Sequence, residues 1–297
     1  MVSGSAPSRR VITKRKVFSF VLLIVILLVV AGLVDSNFLI VATEYELSYA
    51  NLPAAFDGFR IAVLSDVHAA VFGEGNERLI SLVRDAAPDI IAITGDLIDG
   101  HAGPAAAEQL GIAAALVEAL VTIAPVYYIT GNHDWDSGSL WRLLPMLEDR
   151  GVCVLRNSYV LLEAGGDSIV LAGTDDPNGP ADMVRPAAFV EGVLGEGGAG
   201  GDKFFVMLEH RNGNLPLYGA YGVDLVLCGH AHGGIIRLPF TDGLIGPQRE
   251  WFPTFTSGVY SVGGSRMVVS RGVGNHTGWP RFLNNPEVVV VELVASH

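Results

Sequence analysis

The chain has 297 residues, half of them hydrophobic and only 17% charged, with a formal net charge of −12. This much apolar material supports a packed core and excludes a disordered chain, and the length suits one large α/β domain with an additional segment. The two cysteines, Cys153 and Cys228, form no close pair, which excludes a disulfide framework and a thiolate zinc site and leaves Cys228 as a small core residue.

Residues 1–16 form a basic segment, and Val17 to Val34 then runs without a charge, long enough to cross a bilayer. Arg9, Arg10, Lys14, Arg15 and Lys16 precede this run and Asp35 closes it, so the positive-inside bias places the N-terminus in the cytoplasm and the rest outside. The expectation is a single-pass cell-membrane protein with an extracytoplasmic domain. A cleaved secretory signal is the competing reading, although the apolar run is long for one and no clear cleavage site follows. Ser8 to Lys14 also resembles a twin-arginine export signal, which leads to the same destination as direct insertion of an anchor. Beyond the anchor, 14 basic side chains face 30 acidic ones, a charge of −16 that excludes general binding to a nucleic acid backbone. No nucleic acid partner is expected. An anionic substrate would need local positive charge, which bound metal ions can provide.

Residues 35–55 read as a connector and a first strand, and a folded domain is expected over 56–297. Its first half alternates strand-length apolar runs with helical stretches: strand Arg60 to Ser65, helix Asn76 to Ala87, strand Ile90 to Thr94, helix Ala105 to Ile123, strand Val126 to Thr130. Such a series predicts a largely parallel sheet with helices packed on it. After a helix at Leu140 to Arg150, strands crowd together at Val152 to Leu155, Tyr159 to Glu163, Ile169 to Ala172, Phe204 to Leu208 and Leu225 to Cys228. Three more follow at Gly258 to Ser261, Met267 to Ser270 and Val288 to Leu293. This many strands predict a second sheet, two stacked sheets being covered by helices. Gly192 to Gly201 reads as a flexible surface loop.

Five polar clusters each follow an apolar run: Asp66-Val67-His68, Gly95-Asp96 with Asp99, Gly131-Asn132-His133-Asp134, Glu209-His210, and Gly229-His230-Ala231-His232-Gly233-Gly234. In α/β sheets ligands bind at the carboxyl ends of the strands, so the five can converge. Asp66/His68 and His230/His232, each one residue apart, would project to one side of an extended strand end. Carboxylate and imidazole suit zinc, iron or manganese, and the neighbouring glycines allow tight turns and close approach.

With D-x-H, G-D-x-x-D, G-N-H-D, an isolated His and G-H-x-H in this order, the sequence resembles the calcineurin-like metallophosphoesterases from about Phe56 to Leu293. The N-terminal anchor, the paired glycines after the last motif and Ser270 to Asn275 resemble its bacterial membrane-anchored branch. The resemblance implies an αββα sandwich of two mixed β-sheets flanked by helices, with one N-terminal transmembrane helix, and a catalytic domain over residues 56–297. It also implies two divalent ions (Mn, Fe or Zn), one held by Asp66, His68, Asp96 and His232, the other by Asp96, Asn132, His210 and His230. Asp96 would bridge them. His133 would assist the leaving group, with Asp134 as the partner that orients it, and Asp99 is a further candidate behind the ligands.

The implied reaction is hydrolysis of a phosphate ester by a hydroxide shared between metals about 3.5–4 Å apart, without a covalent phosphoenzyme. A phosphodiesterase is the leading expectation, with the tether pointing to lipid-linked or nucleotide-linked substrates. The alternatives are a pyrophosphate hydrolase resembling the UDP-diacylglucosamine hydrolases, a phosphomonoesterase, and a catalytically silent membrane-tethered binding protein. Two departures from the family pattern are Arg211-Asn212 after His210, where many relatives carry a proline, and Ile235-Ile236 after the last motif, where the anchored branch often has Gln. Arg211, Arg237, Arg249 and Arg271 are candidates for substrate phosphate, and Trp251, Phe252, Phe255 and Trp279 for an apolar rim beside the membrane.

Overall fold

Apolar runs without alternation are buried on both faces, and they build the sheet centres. The computed structural model describes residues 14–100, 103–179, 186–194, 201–238, 241–275 and 278–296. In chain order, helix α1 (Lys14–Phe38) is followed by β1 (Val41–Tyr49), β2 (Phe59–Leu64), α2 (Glu77–Asp85), β3 (Ile90–Thr94), α3 (Ala106–Leu120) and β4 (Val126–Ile129). Next come α4 (Asn132–Asp136), α5 (Leu140–Glu148), β5 (Cys153–Val154), β6 (Ser158–Ala164), β7 (Asp167–Gly173), α6 (Pro186–Leu194), β8 (Phe205–Leu208), α7 (Leu215–Tyr221) and β9 (Leu225–Cys228). A short pair, β10 (Ile236–Arg237) and β11 (Gly243–Ile245), precedes β12 (Gly258–Val262), β13 (Ser265–Val269) and β14 (Glu287–Ala295).

One sheet has the order β1-β14-β2-β3-β4-β5 and the other β12-β13-β9-β8-β7-β6. Period-two projection gives each strand one face for the other sheet and one for the helices. On β3, Ile91 and Ile93 pack with Leu79, Leu116 and Leu143 of the helices, whereas Ile90 and Ala92 pack with Leu171, Val206 and Leu227 of the second sheet. On the far side, Phe205, Met207 and Val226 pack with Val190 of α6 and Tyr218 of α7. The result is the expected four-layer α/β sandwich, with both sheets mixed.

The βαβ series is parallel from β2 to β5, but β14 returns antiparallel to β2 and pairs in parallel with β1. Residues 35–55, read as a connector and a first strand, thus supply a nine-residue edge strand. Helices α4, α6 and α7 and the β10–β11 pair were not expected: α4 is five residues inside a polar motif, and α7 is only seven residues long and opens on a proline. The twin-arginine stretch up to Thr13 and most of the Gly-rich stretch, residues 195–200, lie outside the described residues.

Phe204 is fully buried between the sheets, edge-on to Tyr49 with ring centroids 4.8 Å apart. Phe204→Ala should cost about 3–5 kcal/mol of stability, read from the guanidinium unfolding midpoint of the full chain in detergent.

Candidate metal centre

The five motifs stand at the carboxyl ends of β2, β3 and β4 in one sheet and of β8 and β9, adjacent strands of the other. Packing of the sheets brings the two sets face to face. Asp66, His68, Asp96, His210 and His232 are all buried, and His230 is partly so.

Two clusters of candidate ligand atoms gather six of the predicted ligands: Asp66, His68 and His232 form one and Asp96, His210 and His230 the other, with the atoms in each within 4.8 Å of one another. His68 also groups with Asp99 and His133 at the same spacing. His232 Nε2 lies 3.3 Å from Asp66 Oδ1, and His210 Nε2 lies 3.2 Å from Asp96 Oδ2 and 3.0 Å from Asn132 Oδ1. Asp96 reaches the first cluster as well, its Oδ2 standing 3.8 Å from His68 Nε2. All seven residues read as ligands therefore meet in one place, with Asp96 between the clusters.

The local backbone differs from the extended strand ends expected for Asp66/His68 and His230/His232. These four residues and Asp96 have φ of 50°, 47°, 65°, 47° and 53°, in the left-handed region, where a side chain costs about 1–3 kcal/mol. The strand runs stop and the chain turns sharply, so the pairs converge through tight turns instead of strand alternation. Backbone bonds hold the turns: His68 N–H donates to Asp96 O at 2.9 Å and Asp66 N–H to Gly95 O at 3.1 Å. Space requires glycine beside two of the candidate ligands. A Cβ on Gly131 would lie 2.2 Å from Asp96 Oδ1, and one on Gly229 would lie 2.2 Å from Asp66 Oδ2.

Charge is balanced inside the cluster. Burial pushes the Asp96 carboxyl up, but the imidazoles of His210, His68 and His133 outweigh it and hold it below the usual carboxylate range. Burial disfavours protonated His210, yet Asp96 more than offsets this and raises it. His230 is lowered to about 4 by burial and by His210, and so stays neutral as a ligand must. Asp96 Oδ1 accepts the His133 N–H at 2.7 Å, while the buried Oδ2 accepts no hydrogen bond and is faced by imidazole nitrogens. A buried carboxylate oxygen faced by the Nε2 atoms of His210 and His68 fits a bridging position between divalent cations.

Asp134, expected to orient His133, points elsewhere. Its Oδ2 accepts from the backbone N–H of Asp96 at 2.7 Å and Gly131 at 2.8 Å, and its Oδ1 from Leu97 at 3.0 Å and Ile98 at 3.2 Å. It ties the turn after β3 to the turn after β4. The carboxylate beside His133 is that of Asp99, with Oδ1 3.1 Å from Nδ1. Burial works against protonated His133, but the bond to Asp99 and the charges of Asp96 and Asp99 outweigh it, so its pKa is raised.

Of the arginines, Arg237 is engaged by Gly233 O and Ser257 Oγ and Arg271 by Glu287, whereas Arg249 is exposed. Arg211 makes a two-pronged pair with Asp176 at 2.7 and 3.0 Å and lines a cavity of about 580 Å³ with His230, Trp251 and Phe252. Sequence reasoning missed Arg281, fully buried with Nη2 3.5 Å from His232 Nδ1, and Asn284, whose Nδ2 donates to His232 O at 2.8 Å. Both lie in a loop that carries no metal motif. Glu209, which sequence reasoning named only as the neighbour of His210, has a carboxyl that burial raises to about 7 and that Asn214 hydrogen-bonds.

The family model for calcineurin-like phosphoesterases matches residues 59–234, which contain all five motifs. The chain belongs to the calcineurin-like phosphoesterases. This calcineurin-like phosphoesterase is 30% identical over 262 residues, 87% of each chain, to the uncharacterized metallophosphoesterase YkuE of Bacillus subtilis. It is 28% identical to the phosphodiesterase YaeI of Escherichia coli, over 80% of this chain and 82% of that one. It is also 28% identical to a transmembrane protein with a metallophosphoesterase domain of Danio rerio, covering 92% of this chain and 61% of that protein. The family is one of hydrolases acting on phosphoric esters with divalent metals, and the residue groups here are able to bind them.

If Asp96 serves both clusters, Asp96→Asn should lower metal content at both positions together. His230→Ala should lower it at one. Elemental analysis of the dialysed full-length proteins distinguishes the two patterns.

Proposed function

We propose that the chain is a phosphodiesterase whose two divalent cations are held by Asp66, His68, Asp96 and His232 on one side and by Asp96, Asn132, His210 and His230 on the other. The observation that carries this reading is the position of Asp96 Oδ2, buried, without a hydrogen-bond donor and between His210 and His68. Cations held there supply an activated water and neutralise the phosphate oxygens.

The chain's own residues do the rest. His133, its protonated form favoured by Asp99, donates a proton to the leaving oxygen. Asp134 keeps the turns carrying Asp96, Asn132 and His133 in register through four backbone hydrogen bonds. Arg211, held by Asp176, faces the cavity beside His230 and binds a phosphate oxygen or its organic substituent. Trp251 and Phe252, 66% and 70% exposed on the same cavity, favour a substituent with an apolar part, as in a lipid-linked phosphate. The name of the E. coli relative supports a diester over a monoester. We further propose that α1, whose apolar stretch is exposed from Val17 to Ala31, is an uncleaved single-pass anchor with the basic end inside and the hydrolase outside.

The full chain in detergent with manganese should hydrolyse bis(p-nitrophenyl) phosphate faster than p-nitrophenyl phosphate and lose the activity with chelator or in Asp96→Asn. Inactivity on every diester tried, with both metals bound, would refute the proposal. His133→Ala should lower kcat about 10²–10⁴-fold for a diester with an alkoxide leaving group and much less for p-nitrophenolate, which needs no proton to depart. Because Asp99 raises the pKa of His133, activity on the alkyl diester should fall as pH rises through that pKa. Asp99→Asn, by removing the negative charge, should move this descending limb to lower pH.

A further inference from the structure

The anchor and the metal centre occupy the same edge of the sandwich. β1 runs parallel to β14 with Val41 opposite Glu287, and β14 runs antiparallel to β2 with Val289 opposite Val63. The start of β1 therefore lies level with the end of β2, where Asp66 follows. Helix α1 ends at Phe38, three residues before β1, so it arrives at that edge.

Its arrival is fixed by contacts. Asn37 Nδ2 donates to Arg281 O at 2.8 Å and its Oδ1 accepts from Arg281 N at 3.0 Å; Ser36 Oγ accepts from Asn284 N at 3.0 Å, and Asn285 Nδ2 donates to Asp35 Oδ2 at 2.9 Å. Deeper in the helix, a Cβ on Gly32 would stand 3.0 Å from the Phe282 ring and 3.5 Å from Leu283. Gly32 belongs to the uncharged run that would span the bilayer, so the loop beside it reaches about 9 Å down the helix from Phe38.

On this loop Trp279 and Leu283 are 46% and 40% exposed. Backbone bridges Ile236–Phe282, Ile235–Ile245 and Ile245–Trp251 link this loop to the segment that carries Trp251 and Phe252 at the cavity. Tryptophan ring edges favour the membrane–water interface, and exposed apolar side chains beside a spanning helix have lipid as their neighbour.

We propose that the loop of residues 278–283, together with Trp251 and Phe252, is a bilayer contact that seats the metal-bearing edge on the leaflet from which α1 emerges. The occupant is the phospholipid leaflet, and the proposal rests on the reading of α1 as a spanning anchor. The same loop and the residue that follows it also hold the candidate metal centre: Asn284 Nδ2 donates to His232 O, and Arg281 Nη2 donates to Gly274 O and Gly272 O behind Asp66. A phosphate ester in the leaflet surface would then reach the site without leaving the membrane, and the junction with α1 would steady a predicted ligand.

The test uses the full chain in phosphatidylcholine vesicles whose acyl chains are brominated near the glycerol end, with tryptophan emission and flotation both recorded. Wild-type emission should be quenched relative to unbrominated vesicles, and the exposed, conservative double variant W251F/W279F should lose more than half of that quenching while still floating with the lipid. Undiminished quenching in a floating double variant would overturn the bilayer contact and leave the anchor standing. Failure of the wild type to float would overturn both.

Discussion

Asp96 is the point at which the two halves of the sandwich depend on each other. It ends a central strand of one sheet, its Oδ1 takes the backbone of the turn after the next strand, and its Oδ2 faces His210 from the other sheet. A carboxylate this deeply buried is costly unless charge and hydrogen bonds compensate it. Here the compensation comes from the imidazoles of His68, His133 and His210 and the backbone amide of His133, supplied by three different strand ends. The two sheets must pack in one register for those groups to meet, so the core between them is also what places the site.

Around that carboxylate the chain accepts strain. Five of the candidate ligands adopt left-handed backbone, and glycines at 131 and 229 leave room where any side chain would strike Asp96 or Asp66. Asp134 offsets part of this cost by satisfying four backbone amides with one side chain. The turns are thus held from behind by hydrogen bonds and fixed from the front by lack of space. Rigid turns of this kind suit a site that binds cations and must not rearrange when they arrive.

Much of this was legible beforehand. The apolar runs of β3 and β9 had their observed limits, because strands buried on both faces are continuous in sequence, and polar motifs at their ends located the ligands. The partner of His133 was not readable in the same way. Asp134 is its neighbour in the chain, yet the turn of α4 aims that carboxylate back at β3 and leaves Asp99 to face the imidazole. Arg281 and Asn284 were out of reach because nothing in a loop sequence signals that it will fold beneath a histidine motif some fifty residues earlier. The β1–β14 pairing escaped notice for a similar reason, being a contact between the two ends of the chain.

That pairing brings the start of β1, and with it the end of the apolar helix, level with the end of β2 and the candidate metal centre. Electron paramagnetic resonance of the manganese-loaded full-length protein tests most directly whether two cations share Asp96. A spin-coupled dinuclear signal that reverts to isolated ions in Asp96→Asn is the predicted result. Fully loaded wild-type protein showing only the six-line spectrum of uncoupled manganese would contradict it.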